Sequence, residues 1–296
     1  MTTYPVEGTI PALLTPFTEG GAAVDFELLD EHVAWLADRG VRTISPLGTT
    51  GEGPSLSLDE RKAVIERLAA HPAGMQLLPG TGCTALPETI ELSRFAVEHG
   101  AAGILVAPPW YYDATPAGTA RYFGAVIEAL PADARVFLYH IPAQTGVPIE
   151  DETIRELRDR YGPPVAGAKD SSGDLEHATR WVRDFPELAI LPGSDALASD
   201  AARVGAAGTI TLLANVFPDE LDAIRAGDAV EGRQAFLTAL RALTQEFPRH
   251  AAMKHLLHVV SGLRRAAVRP PLDELAPGQI VELETRFNEL RRNAHV

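Results

Sequence analysis

The chain has 296 residues, enough to bury a substantial core in one large domain or two small ones. Hydrophobic residues make up 46% and charged residues 22%, which excludes wholesale disorder. With 26 Lys+Arg against 40 Asp+Glu the net charge is -14, which disfavours nucleic acid and anionic membrane surfaces as partners.

One pattern repeats along the chain: a short apolar run, a polar or Gly/Pro-rich turn, then an amphipathic stretch. The apolar runs are Thr9–Leu14, Thr43–Leu47, Gln76–Pro79, Gly103–Ala107, Val136–Tyr139, Val165–Ala168, Ala189–Leu191 and Gly208–Leu213. Helical periodicity follows each, over 26–39, 59–70, 87–99, 117–129, 150–160, 174–184, 196–204 and 218–226. Continuous rather than alternating apolar runs suit a parallel sheet covered on both faces. Asp25, Ser57, Asp151 and Asp219 stand at expected helix N-termini, and Gly40, Gly100 and Gly205 just past expected C-termini. Three further helices are predicted over 229–246, 250–263 and 277–293.

Eight strand–helix units predict an α/β (β/α)8 TIM barrel over 1–227 with a C-terminal helical extension over 228–296. A doubly wound open sheet needs a glycine-rich loop after its first strand, and Leu14-Thr15-Pro16-Phe17 is not one. The single cysteine, Cys83, excludes an internal disulfide framework and a Cys-rich zinc site, and it reads as a small buried or loop residue. A reducing cytoplasmic location is expected, since the N-terminus lacks a secretory pattern and no apolar run reaches the roughly 18 residues of a membrane span.

A barrel of this type places its chemistry at the C-terminal ends of the strands. Only three of the 26 cations are lysines, and one of them, Lys169, closes the apolar run Val165-Ala166-Gly167-Ala168. Burial there disfavours an ammonium, and a neutral amine can attack a ketone to form a Schiff base. The same position also suits a strand-end lysine paired with Asp170 or a surface carboxylate. Lys62 and Lys254 lie on helical patterns and are expected at the surface. Thr49 and Thr50, in Gly48-Thr49-Thr50-Gly51, offer hydroxyls and backbone amides that can hold a carboxylate, or they simply cap a turn. Tyr139 can relay protons or sit as a core tyrosine. Tyr111 and Tyr112, beside Trp110 and two prolines, suit packing or an interface. His255 and His258 stand a helical turn apart with no adjoining carboxylate in sequence, so no metal is expected. Glu284–Arg291 reads as a solvated mixed-charge helix face.

In order and spacing these motifs resemble the pyruvate-dependent class I aldolases, which include dihydrodipicolinate synthase, N-acetylneuraminate lyase, 4-hydroxy-2-oxoglutarate aldolase and 2-keto-3-deoxygluconate aldolase. The resemblance spans Pro11–Phe17, Gly48–Glu52, Tyr139–Pro142 with Thr145-Gly146, Gly167–Gly173, Gly193–Asp195, Ala214–Val216 and Arg269–Leu272. It implies Lys169 as the Schiff-base lysine, Tyr139 as proton relay, and Thr49 and Thr50 as holders of the pyruvate carboxylate. It implies Tyr111 as a residue lent to a neighbouring subunit's site and Ile210 as the residue beside the pyruvate methyl. It further implies a homotetramer built as a dimer of dimers, with no metal and no other cofactor.

The synthases carry an arginine, for the carboxylate of aspartate semialdehyde, where this chain has Gln144. Glutamine cannot form that charge-assisted fork, a loss of about 10²-fold or more in discrimination. The segments around Gly80–Cys83, Pro142–Gly146 and Lys169–Asp174 are more similar to the hydroxy-keto-acid aldolases, in which residues matching Ser171, Gly193 and Asp195 bind the hydroxylated tail. The expected activity is therefore aldol cleavage or condensation of a 4-hydroxy-2-oxo acid or a 2-keto-3-deoxy sugar acid. The alternatives are the synthase itself, a keto-deoxy sugar acid dehydratase, and a keto-acid-binding regulatory protein without turnover.

Overall fold

The structure is a computed structural model and describes Tyr4–Ala294. Its elements run β1 (Gly8–Pro11), α1 (Phe26–Ala37), β2 (Thr43–Ile44), α2 (Leu58–Ala69), β3 (Gln76–Leu77), α3 (Leu86–Glu98), β4 (Ile104–Val106) and α4 (Pro116–Glu128). They continue β5 (Val136–His140), α5 (Pro142–Thr145), α6 (Asp151–Tyr161), β6 (Val165–Asp170), α7 (Leu175–Asp184), β7 (Ala189–Pro192), α8 (Ala198–Val204) and β8 (Gly208–Thr211). Four helices follow: α9 (Pro218–Ala226), α10 (Val230–Gln245), α11 (Arg249–Ser261) and α12 (Pro277–Ala294).

All strand pairings are parallel, and they join end to end. β4, β5, β6 and β7 lie side by side, β2 pairs with β3, and β1 pairs with β8, with Ile10 opposite Ile210. Parallel bridges from Ala12 to Ser45 and from Gly80 to Leu105 link β1 to β2 and β3 to β4. Ala207 N donates to Ile190 O at 3.0 Å, which joins β8 to β7 and completes the (β/α)8 ring. β5, β6 and β7 extend one or two residues past their apolar runs, whereas β1–β4 and β8 are shorter than theirs because the chain leaves the strand within the run. After Ile44, for example, it reaches Pro46 and then Leu47, which adopts φ +65°.

Along β5 the side chains alternate: Val136 and Leu138 pack against the outer helices, while Phe137 and Tyr139 join Ile10, Leu78, Leu105, Leu191 and Ile210 inside the barrel. The register between β5 and β6 slips by one residue, so Phe137 faces Gly167. A Cβ at Gly167 would lie 2.6 Å from the Phe137 ring, so only glycine fits.

Two of the four expected caps behave as such. Asp25 accepts from Leu28 N at 3.1 Å, and Ser57 forms a reciprocal capping box with Glu60. Asp151 and Asp219 instead lie inside the first turns of α6 and α9, and Asp151 accepts from Trp181 Nε1 at 2.7 Å and from Arg180. The one-turn helix α5 was not expected; Pro142 opens it and Gly146, at φ +69°, ends it.

Helices α10–α12 pack on the barrel through one apolar cluster. Phe236, Leu240, Met253, Leu256, Leu283 and Phe287 meet Leu14, Leu213, Phe217 and Leu221 there. The 284–291 segment is therefore not wholly solvated: Phe287 is fully buried and Glu284 accepts from His255 Nε2 at 2.8 Å. That contact also supplies the carboxylate beside His255 that the local sequence lacks.

Candidate active site

The register of β5 and β6 builds the centre of the site. Tyr139 lies opposite Lys169, and His140 lies opposite Asp170. Because side chains alternate, the first pair points into the barrel mouth and the second pair points out toward α7. Lys169 and Tyr139 are each only 5% exposed, and Lys169 Nζ donates to Tyr139 Oη at 3.3 Å. Thr49 Oγ1 lies 3.2 Å from the same phenol. Burial alone would raise the Tyr139 hydroxyl above its ordinary range. The charge at Lys169 and hydrogen bonds with Thr49, Lys169 and Ser171 outweigh it, and the net shift is downward.

Thr50, Gln144, Ser171, Gly193 and Ile210 line one cavity with Lys169, Tyr139 and Thr49. Ile210 is fully buried on β8. Gly193 lets Ser171 lie close, since a Cβ there would sit 2.2 Å from Ser171 Oγ. Gln144 is exposed at the rim, and Gly48 lines an adjoining cavity that also holds Trp110 and Arg61.

Two expected residues stand elsewhere. Asp195 is 0% exposed and does not line the cavity. It accepts from Leu213 N at 3.0 Å and from Arg241 Nη1 at 3.1 Å, and burial pushes its carboxyl up. Its place one position past Ser194, at the start of a tight turn, sends the side chain inward to those donors. Tyr111 is 84% exposed at φ +94°, packs edge-on against Tyr112, and lines neither cavity of its own chain.

The loop carrying Thr49 and Thr50 is tied down by residues that local sequence did not single out. Glu52 adopts φ +53° and is buried. Its carboxylate accepts from Lys254 Nζ and from Arg269 N at 3.1 Å. Lys254 is therefore no surface residue: it is 2% exposed, also donates to Ala267 O at 2.7 Å, and lies over the Phe17 ring. Burial pulls its basicity down, and Glu52 opposes that pull. His250 Nε2 donates to Thr49 O at 3.0 Å, and Thr15 Oγ1 donates to Gly51 O at 2.6 Å. Arg241 and Arg249, from α10 and α11, complete the lining of the Lys169 cavity. Arginine scarcity of lysine was the one signal that could have found Lys254, because a lysine kept in an arginine-rich chain invites the question of what it contacts. Lys62, by contrast, pairs with Glu91 on the helical surface as expected, and Cys83 is buried with its thiol pushed up by burial.

On the outer side of the β5–β6 pair, His140, Asp170 and His177 bring potential ligand atoms within 4.8 Å of one another. These atoms are already engaged. His140 Nδ1 accepts from Ile149 N at 3.1 Å, so its proton sits on Nε2 and that lone pair is not free for a metal. Asp170 accepts from His177 Nδ1 and Ser172 N, both at 2.9 Å. Trp181 closes the cluster against both imidazoles. Burial lowers His140 to about 4 despite the opposing charge of Asp170. The cluster braces β5, β6 and α7 directly behind the lysine.

A parallel eight-stranded barrel with a buried lysine, a tyrosine and a threonine meeting at its C-terminal mouth is the architecture of a class I lyase. Comparison with known proteins gives the family. The sequence profile of the dihydrodipicolinate synthetase family matches residues 5–289. A DapA-like lyase from Chloroflexus aurantiacus is 42% identical over 288 residues, covering 96% of each chain. A 4-hydroxy-tetrahydrodipicolinate synthase from Sorangium cellulosum is 38% identical, covering 99% of this chain and all of its own. Among solved structures, the Escherichia coli K12 prophage protein YagE in complex with pyruvate aligns at TM-score 0.89 with 29% identity, over 96% of this chain and 98% of its own. KD(P)GA from T. tenax aligns at 0.88 with 26% identity, over 97% of this chain and all of its own. The chain belongs to the dihydrodipicolinate synthetase family and is a lyase of the class I aldolase type.

Proposed function

We propose that this enzyme cleaves or forms the C3–C4 bond of a 4-hydroxy-2-oxo acid or a 2-keto-3-deoxy sugar acid, with pyruvate as product or donor. The observation that carries the reading is the Lys169–Tyr139–Thr49 chain of contacts inside the barrel mouth. Lys169 Nζ adds to the keto carbon, and loss of water yields the imine. Tyr139 takes the proton of the C4 hydroxyl as C3–C4 breaks, and the bonding electrons move through C3 and C2 to the imine nitrogen. The aldehyde leaves. Protonation of the enamine at C3 and hydrolysis of the imine release pyruvate and free Lys169. The lowered phenol of Tyr139, made more acidic by Lys169 and its hydrogen bonds, suits a group that must give and take a proton.

In this reading Thr49 and Thr50 hold the pyruvate carboxylate, with Gly48 shaping their loop, and Ile210 faces the methyl. Ser171 and the Gly193 backbone lie beside the tail, with Gln144 at the rim. The barrel over 1–227 holds the chemistry and the extension over 228–296 secures it. The enzyme works in the cytoplasm without metal, as a homotetramer in which Tyr111 reaches into a neighbouring site; its 84% exposure in the single chain fits that use.

Incubation with pyruvate and borohydride is expected to add one pyruvyl group to Lys169, and a Lys169→Ala protein is expected to gain none. An unmodified Lys169 would refute the Schiff-base reading. The synthase activity is the second reading, favoured by the Sorangium cellulosum relative. Turnover with aspartate semialdehyde beside a panel of 4-hydroxy-2-oxo acids separates the two.

A further inference from the structure

The cavity above Lys169 is lined by three cations, Lys169, Arg241 and Arg249, and by no carboxylate, in a chain of net charge -14. Two of the three are engaged. Lys169 bonds Tyr139, and Arg241 is neutralised by the buried Asp195. Arg249, the first residue of α11, is half-buried, and among the described residues its guanidinium has no hydrogen-bonded or ion-paired partner. Burial and then the like charge of Arg241 pull its basicity down, while Tyr139 and Asp195 oppose them from beyond bonding distance. A half-buried, repelled and unpaired guanidinium facing a cavity is a site short of an anion.

We propose that Arg249 receives a second anionic group, a carboxylate or a phosphate, at the end of the substrate remote from the keto carbon. The assignment rests on the Schiff-base reading for the orientation of the substrate. With the first carboxylate on Thr49 and Thr50, the tail runs past Ser171, Gly193 and Ser194. Ser194 in that lining directly precedes Asp195, whose charge Arg249 feels and which holds Arg241. The cation that the synthases place at Gln144 is thus supplied from α11 instead, in the lining of the same cavity. Guanidinium geometry matches carboxylate and phosphate oxygens equally well, so both sources remain within one chemistry.

The experiment uses two matched pairs: 2-oxoglutarate against 2-oxopentanoate, and a 2-keto-3-deoxy sugar acid with and without a terminal phosphate. The wild-type enzyme is expected to prefer the anionic member of at least one pair, read as borohydride-trapping rate for the first and kcat/KM for the second. Which pair shows the preference identifies carboxylate or phosphate. Arg249→Gln is expected to cut that preference ratio by roughly 10–100-fold, and rising salt to shrink it in the wild type. Arg249→Lys, which keeps the charge, is expected to retain more of the ratio than the glutamine variant.

A wild-type enzyme indifferent to the anionic tail in both pairs would overturn the proposal. So would an Arg249→Gln protein whose rates fall equally for every substrate, because that would place the guanidinium on the carboxylate shared by all. Calorimetric binding of the same pairs to Lys169→Ala protein reads Arg249 without imine formation. A failed Schiff-base reading and a failed anion site are thereby told apart.

Discussion

Replacing Lys254 with methionine is expected to weaken the enzyme far from its chemistry. The ammonium is 2% exposed, and the carboxylate it pairs with, Glu52, is equally buried. Methionine fills a similar volume but leaves Glu52 charged inside the protein, with the Arg269 amide as its remaining donor. Stranding one member of a buried ion pair costs about 3–5 kcal/mol. For 296 residues, an unfolding entropy of about 2.1 cal/mol/K per residue gives about 0.6 kcal/mol/K, so the thermal midpoint should fall by about 5–8 °C. Glu52 is two residues from Thr50, so the same change loosens the loop proposed to hold the substrate carboxylate. Pyruvate trapping at Lys169 should slow as well. The assay is thermal unfolding of Lys254→Met, Glu52→Gln and the double variant at pH 7, with borohydride trapping run in parallel. The double variant removes both charges and is expected to recover at least half of the loss. A drop under about 2 °C in Lys254→Met, or a double variant no better than the single, would refute the view that the pair clamps the loop.

Tyr139→Phe removes the phenol that Lys169 and Thr49 share, and kcat for aldol cleavage is expected to fall by about 10²–10⁴-fold. Unchanged steady-state turnover in that variant would remove Tyr139 from the proton relay. Acid sensitivity should appear before most carboxylates titrate. His140 and His32 are each held at about 4 against an ordinary 6.5, in both cases chiefly by burial. A base depressed in the folded state binds more protons when unfolded, so its contribution is complete above about 6.5 and is lost as pH falls toward 4. Thermal midpoints measured across that window should decline, and a flat profile between pH 6.5 and 4 would contradict both assignments.

Much of the barrel was legible in the chain. Apolar runs spaced by amphipathic stretches mark parallel strands and their covering helices, because each strand must be buried on both faces and each helix on one. Lys169 stood out for a similar local reason: it ends such a run in a chain that uses arginine almost everywhere else, and a guanidinium cannot form an imine. Tyr139 and Thr49 were visible only through the order and spacing of several motifs. Alone, each suited a core tyrosine or a turn. The register of β5 and β6 puts Tyr139 and Lys169 on the same inner face and His140 and Asp170 on the outer one.

What local sequence could not supply was whatever depends on contacts between separate elements, from 18 to 202 residues apart. Lys254 looks like a surface lysine on a helical pattern, and it becomes buried only because α11 folds back onto the loop of Glu52. Arg249 carries no motif and enters the cavity by the same packing. Asp195 sits in a segment that resembles a substrate-binding one, yet its side chain turns inward to Arg241 and the Leu213 amide. Periodicity and residue chemistry are local, and they determined the barrel and singled out Lys169 as its proposed nucleophile. Which charges end up buried, paired or left facing the substrate depends on which distant elements pack together, and only the tertiary structure decided that.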